Sequence, residues 1–348
     1  DQLPDPRIEA VEGTGAVPAY RGTAYVVFED LGLEDFGNRV PQFSFEVTKP
    51  VQTDTPEGTA EVPHALQAVA LIPGTGEYAL ATTPVNYRFD KGSYGPANSH
   101  SPSGRTDLLV SLDQLQQECP NVGAASLVVC WFGDDLSCGD CTIQPKVEQA
   151  EFDGYEMAWY VSALSRGAVG LVPRDDADQP VYGGTPSDSA VLEALRELQA
   201  RGQAPMFYPF ILMEQMAGNG LADPWSDADD QPALPWRGRI TTSKAAGQAG
   251  SPDGTAAAEA EVAAFFGMAQ ATDFALGGVS AVAPELRGML AEVPALAGQT
   301  VQYSGPVEWS YRRFILHYAT LCAAMGGVEA FCIGSEMRGL TQVRGAGG

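Results

Sequence analysis

The stretch from Trp309 to Leu340, WSYRRFILHYATLCAAMGGVEAFCIGSEMRGL, most constrains what this chain can fold into. Tyr311, Phe314, Ile315, Tyr318, Leu321, Cys322 and Met325 recur at helical spacing and make one apolar stripe. Arg312, Arg313 and Thr320 fall on the other side. Gly326 and Gly327 end the helix, because glycine takes up the left-handed cap conformation without steric cost. The run from Val328 to Ile333 then reads as a short, buried parallel strand. It leads into Gly334, Ser335 and Glu336. A carboxylate just past the carboxyl end of such a strand stands where α/β barrels keep their chemistry.

The charge balance excludes one large class of function. The chain has 348 residues, with 44 acids against 20 bases and a net charge of −24. Nucleic-acid binding needs a basic face, and nothing here supplies one, so no tight direct hold on DNA or RNA is expected. No uninterrupted run of 18 apolar residues exists, so no membrane span is expected. The chain starts on Asp1 and ends in Gly-Ala-Gly-Gly, and both ends read as cuts in a longer protein. Cys138 and Cys141 form a lone C-x-x-C, which as a zinc site needs a second ligand pair. Free or locally bridged thiols, a metal and redox chemistry remain the readings for it. No cofactor is implied, and no metal ligand is assigned.

In chain order, residues 1–85 read as β-rich. Ala24 to Phe28 is a strand candidate, and Phe43, Phe45 and Val47 alternate as in a half-buried strand. Residues 86–105 are dense in Gly, Ser and Pro and read as a linker. Residues 106–348 read as α/β. Thr106 to Cys119 is a helix, and Ala125 to Phe132 is a buried strand ending in Gly133-Asp134-Asp135. Trp131 with Asp134 and Asp135 reads either as an aromatic platform with acids that grips a sugar, or as a solvated turn over a packed Trp. Tyr155 to Ser165 and Ala168 to Pro173 read as a hairpin, either arm of which fits a second barrel strand. Thr185-Pro186-Ser187-Asp188 starts a helix that runs to about Ala200. Pro205 to Met213 is the third strand, with Tyr208 inside it and Glu214 after it as binding candidates. Residues 215–254 have no period, and a loop of that length is functional or mobile. Its Trp225, Trp236, Arg237 and Arg239 either close over a groove or pin the loop. Ala256 to Phe266 is a helix, and Ala271 to Gln299 reads as an insertion with helical content.

Two resemblances sharpen this reading. The residues F-I-x-x-Y-A from Phe314 to Ala319, with F-C-I-G-S-E from Phe331 to Glu336, resemble the helix-3, strand-4 segment of clan A glycoside hydrolases, the endo-mannanase-like barrels in particular. That resemblance implies a general acid/base role for Glu336. Ser335 stands where most of the clan carries Asn, which argues against ordinary 2-hydroxyl recognition. The segment from Tyr20 to Val47, YRGTAYVVFEDLGLEDFGNRVPQFSFEV, is similar to the hub segment of long-tailed phage tail-tip proteins. With AASLVVCWFGDDL, YGGTPSD, FYPFILM, PWRGRIT and FCIGSEMRGL, the order resembles the tail hub proteins of gene transfer agents, phage-derived DNA-carrying particles of alphaproteobacteria.

The combined expectation is α/β plus β: a partial TIM-like (β/α) barrel preceded by a β-rich phage tail hub segment. The resemblance implies a structural hub of a tail tip or baseplate, partnered by other copies and neighbouring tail proteins. Such a particle assembles in the bacterial cytoplasm and leaves by lysis. Hydrolysis of an envelope or peptidoglycan sugar chain, and sugar binding without turnover, are the other readings. Barrel strands counted near 125–132, 155–173, 205–213 and 328–333 reach strand four, whereas the clan's nucleophile sits on strand seven. This stretch alone is therefore expected to be inactive. Glu336 is read as a working acid/base, as a sugar-binding acid, or as the ion-pair partner of Arg338.

Overall fold

Parallel pairing between strands distant in sequence builds the centre of the protein. The computed structural model describes residues 4, 6–17, 26, 28, 31–37, 39–41, 43, 45, 62–73, 76–89, 92–279 and 295–348. The chain divides into two units, Asp1–Pro50 and Val51–Gly348.

Of the first unit, helix α1 (Pro6–Glu12) is described, together with an aromatic group. The Phe28 and Phe43 rings stack at 4.3 Å between centroids, and Phe45 lies 5.9 Å from Phe43. Of the expected strand at Ala24–Phe28 only Val26 and Phe28 are described, and half of the Tyr20–Val47 segment lies outside the described residues.

The second unit opens with α2 (Val62–Ala65), β1 (Ala68–Leu71), and the antiparallel pair β2 (Asn86–Arg88) and β3 (Tyr94–Pro96). Then come α3 (Asp107–Glu118), β4 (Ala124–Gly133), β5 (Ile143–Gln144) and β6 (Lys146–Val147). The hairpin of β7 (Tyr160–Val161) and β8 (Leu164–Ser165) follows, then β9 (Gly170–Leu171), α4 (Asp188–Ala200) and β10 (Ala204–Met213). The chain continues through α5 (Ala256–Phe266), β11 (Phe274–Gly278), β12 (Gln299–Tyr303), α6 (Tyr311–Ala324) and β13 (Ala330–Phe331).

The main sheet runs β1-β4-β10-β13, all neighbours parallel, with β5 antiparallel against the end of β4. This is a mixed α/β unit with a parallel sheet. Among the described residues the sheet stays open and does not close into a barrel. β4 and β10 pair over their full length, from Ala124↔Ala204 to Gly133↔Met213. Their side chains alternate faces, as the strand period requires. Ala125, Leu127, Val129 and Trp131 of β4 and Phe207, Ile211 and Met213 of β10 join the core, with Leu192 and Leu195 of α4 and Phe314, Tyr318 and Leu321 of α6.

Helix starts follow their capping residues. Thr106, Ser187, Thr255 and Ser310 each accept a backbone N–H of the first turn of α3, α4, α5 and α6. At the end of α6 the chain turns with Gly326 at φ 85 and Gly327 at φ 98, and Gly327 N–H closes on Cys322 O at 2.9 Å.

Several expectations need correction. β1 lies inside the span assigned to the N-terminal β-rich segment, yet it pairs with β4, so the parallel sheet begins at Ala68. Its four residues are too short to show a period against the Pro- and Thr-rich flanks. The span 86–105 is not a bare linker, since it carries β2 and β3. The expected pairing of 155–165 with 168–173 does not form: the β7–β8 hairpin lies within the first of these arms, β9 in the second pairs in parallel with β6, and β4 itself is the second strand of the main sheet. In the span 271–299, read as an insertion with helical content, Phe274–Gly278 pairs antiparallel with Gln299–Tyr303, and 280–294 lie outside the described residues. Arg313, read from the sequence as lying off the apolar stripe, is buried. It donates to Glu308 O at 2.6 Å and stacks on Trp309 at 3.6 Å.

Candidate functional site

The face of the sheet opposite the helices carries the other half of each alternation. Ser126, Val128 and Cys130 of β4 and Met206, Tyr208, Phe210 and Leu212 of β10 line a cavity of about 590 Å³ with Ala70, Ile72 and Tyr182. Among the described residues the wall is almost wholly apolar, and its one carboxylate is Glu336.

Glu336 sits where β13 has ended, with φ 57. The left-handed region costs a residue with a Cβ about 1–2 kcal/mol, so surrounding contacts must hold it there. The contacts come from the long loop 215–254. Trp236 donates its indole N–H to Glu336 Oε2 at 2.7 Å, and the Arg237 guanidinium lies 3.0 Å from the same oxygen. Both partners donate, so Oε2 acts as an acceptor. Arg237 is only 4% exposed at its side chain, whereas Glu336 is 52% exposed. The arginine also donates to Tyr208 Oη at 3.1 Å, Ser335 Oγ at 3.0 Å and Ser335 O at 3.3 Å. Its flat face covers the Phe210 ring at 3.5 Å. Tyr208 Oη and Ser335 Oγ are themselves hydrogen-bonded. One rigid cation therefore ties two cavity-wall aromatics to the strand-four segment.

Close backbone approach makes this possible. A Cβ on Gly238 would lie 2.4 Å from the Trp236 ring and 2.6 Å from Glu336 O. A Cβ on Gly339 would lie 2.3 Å from Ile240 O, and Gly339 N–H bonds Gly238 O at 2.8 Å. Further along, the Arg344 guanidinium pairs with Asp253, and Arg344 N–H donates to Asp253 Oδ1 at 2.7 Å. These contacts stitch the loop to residues 334–344 and pin it down.

The other candidates separate clearly. Trp131 is fully buried on the helix face of β4, against Trp309, Phe314, His317 and Tyr318, and is not a binding platform. Its odd position in the strand sends it to the core, one residue out of phase with the cavity wall. Asp134 accepts from Thr142 N and Oγ1, each at 2.6 Å, and Asp135 accepts from Ser137 N and Gln231 Nε2, each at 2.7 Å. These are turn bonds. Burial pushes the Asp135 carboxyl up. Glu214 pairs with Lys146 at 2.5 Å, and burial raises its carboxyl above the usual range. Trp225 donates to Arg239 O at 2.7 Å and pins the loop. Tyr208, Trp236 and Glu336 come together; Trp131, Asp134, Asp135 and Glu214 do not join them, and Trp225 meets Trp236 only across a separate pocket. The ion-pair partner expected for Glu336 was Arg338; the structure supplies Arg237 instead.

Two buried ionic groups brace the fold away from this site. His317 Nε2 and Asp188 Oδ1 lie 2.9 Å apart with neither side chain exposed, joining α6 to α4. Arg166 bridges Glu77 and Asp153 at 3.1 Å each. Neither pairing has a local sequence signal, because the partners are far apart in the chain. Among the described residues no group of His, Cys, Asp and Glu is arranged to hold a metal ion. The thiols of Cys138 and Cys141 are free and buried, and burial pushes Cys138 up to about 12.

Residues 309–348 match the family model of the GTA TIM-barrel-like domain, where GTA denotes gene transfer agent. The matched segment holds α6, β13, Ser335, Glu336 and Arg338. No curated protein matches the chain significantly. The match supports a gene transfer agent-related protein with a TIM-barrel-like segment at these residues.

Proposed function

We propose that this chain is part of the tail hub of a gene transfer agent particle, and that its α/β unit holds an envelope glycan at the Trp236–Glu336 cluster. The matched segment at residues 309–348 supports the particle assignment, and the hub-like Tyr20–Val47 sequence supports the place within it. Other hub copies and neighbouring tail proteins are then its partners, at the tail tip that meets the host envelope during DNA delivery.

The observation that carries the glycan reading is the exposed Trp236 ring, fixed by its bond to Glu336, the residue that in turn lines the apolar cavity. A sugar presents an apolar C–H face and a rim of hydroxyls. An aromatic face takes the first, and the free oxygen of an anchored carboxylate accepts from the second. Binding without turnover is favoured over hydrolysis. Glycoside cleavage uses two carboxyl groups about 5–9.5 Å apart, and among the described residues Glu336 is the one carboxylate on this cavity wall. Titration of the protein with soluble peptidoglycan fragments tests the reading. Saturable binding that Trp236→Ala abolishes supports it, and equal binding by that variant refutes it.

A further inference from the structure

A second pocket shares Trp236 with the site just described. It measures about 350 Å³ and is lined by Trp225, Trp236, Gly238, Arg239, Arg338 and Gln342. No acid lines it. Arg239 is held by Asp223 at 3.3 Å and lies over the Trp225 ring at 5.7 Å. Arg338 is exposed, and among the described residues its guanidinium has no acid partner. In a chain with 44 acids and 20 bases, two arginines between two tryptophans form a local reversal of sign.

We infer that this pocket is an anion subsite that takes the carboxylate of an acidic saccharide whose neighbouring ring lies at Trp236. This rests on the glycan reading above and narrows it to a class of glycan. The guanidinium of Arg338 offers paired N–H donors in the geometry a carboxylate accepts. The Gln342 side chain and the indole faces of Trp225 and Trp236 suit the hydroxyl, amide and C–H groups of the sugar around it. Arg237 does not serve, because its side chain is buried, is engaged with Glu336, Tyr208 and Ser335, and does not line this pocket.

The test compares two disaccharides that differ by one lactyl carboxylate: N-acetylglucosamine dimer and N-acetylglucosaminyl-N-acetylmuramic acid. Titrations of the full chain are run at about 0.15 M salt, where charges beyond about 8 Å are screened. The global negative charge then weighs little against the local contact. The acidic disaccharide should bind roughly two- to fivefold tighter, as a solvent-accessible ion pair allows. Arg338→Gln should remove that preference while leaving the neutral disaccharide unaffected, and Arg338→Lys should restore part of it. Among the described residues Arg338 has no acid partner to lose, so an unchanged melting curve should accompany the loss. Equal binding of both disaccharides by the unaltered protein, or a preference that survives in Arg338→Gln, overturns the subsite. Competition by free lactate as strong as by the acidic disaccharide overturns its saccharide character. Failure of both disaccharides to bind contradicts the glycan reading itself, and the subsite with it.

Discussion

Trp236 and Glu336 are 100 positions apart, yet the indole N–H of one meets the carboxylate of the other at 2.7 Å. That bond joins the long loop after β10 to the segment after β13, and both ends of it are exposed enough for a ligand to meet them. Arg237 lies beneath as the buried support.

Replacing Arg237 therefore separates support from contact. In Arg237→Gln the Glu336 carboxylate, half exposed, regains water, so the loss stays near 1–2 kcal/mol rather than the larger penalty of stranding a buried charge. The denaturation midpoint should fall accordingly. Saccharide affinity should fall as well, because Trp236 and Glu336 lose their common anchor. A variant as stable as the parent with undiminished affinity would show that Arg237 anchors nothing.

Gly238→Ala acts through space rather than charge. The added methyl falls inside the Trp236 ring and against Glu336 O, so the loop must shift. Overpacking of this kind costs about 1–3 kcal/mol. Trp236 fluorescence should change even without ligand, whereas the core around α4 and α6 should keep its hydrogen-exchange protection. An unaltered tryptophan spectrum would mean the loop is looser than the structure shows.

The Asp188–His317 pair predicts a large effect far from the site. Asp188 Oδ2 also accepts from Thr300 Oγ1 at 2.7 Å and Val301 N at 3.0 Å. Asp188→Ala leaves the His317 ring and these donors buried without their acceptor, at about 1–3 kcal/mol for each group left unmet. Chemical denaturation should show it. A loss under about 1 kcal/mol would mean that water replaces the carboxylate.

Acid should favour one ion pair's neutral form. Burial raises the Glu214 carboxyl, against the opposing pull of Lys146. A folded-state pKa above the unfolded one adds stability below the unfolded pKa, and that stability is lost as pH rises through the folded one. Relative to Glu214→Gln, the parent protein should thus gain stability as pH falls from 7 through the carboxylate range. The opposite slope would show that the Lys146 pair, rather than burial, dominates.

The parts legible from sequence are those with a local period or a stop signal. The stripe from Tyr311 to Met325, the Gly-Gly turn, the strand at 204–213 and the helix after Ser187 are all where their residues place them. The strand at 124–133 was legible too, but not which face Trp131 takes, since a fully buried strand is apolar on both sides. β1 escaped notice because four residues carry no period. At the site, Glu336 was marked by its place after a strand, and Trp236 and Arg237 by their loop. The choice of Arg237 over Arg338 depends on a contact between residues 99 positions apart in the chain, which spacing alone cannot express.

The most direct test is Glu336→Gln, assayed side by side for binding and for hydrolysis of soluble peptidoglycan fragments. The amide keeps size and can still accept from Trp236, but it loses the charge that faces Arg237 and the sugar hydroxyls. The expected result is a folded protein whose saccharide affinity drops about tenfold, with no glycan cleavage by either form. Undiminished binding by Glu336→Gln would contradict the assignment of Glu336 as the anchoring acid, and cleavage by the parent that the variant loses would make it a catalytic acid instead.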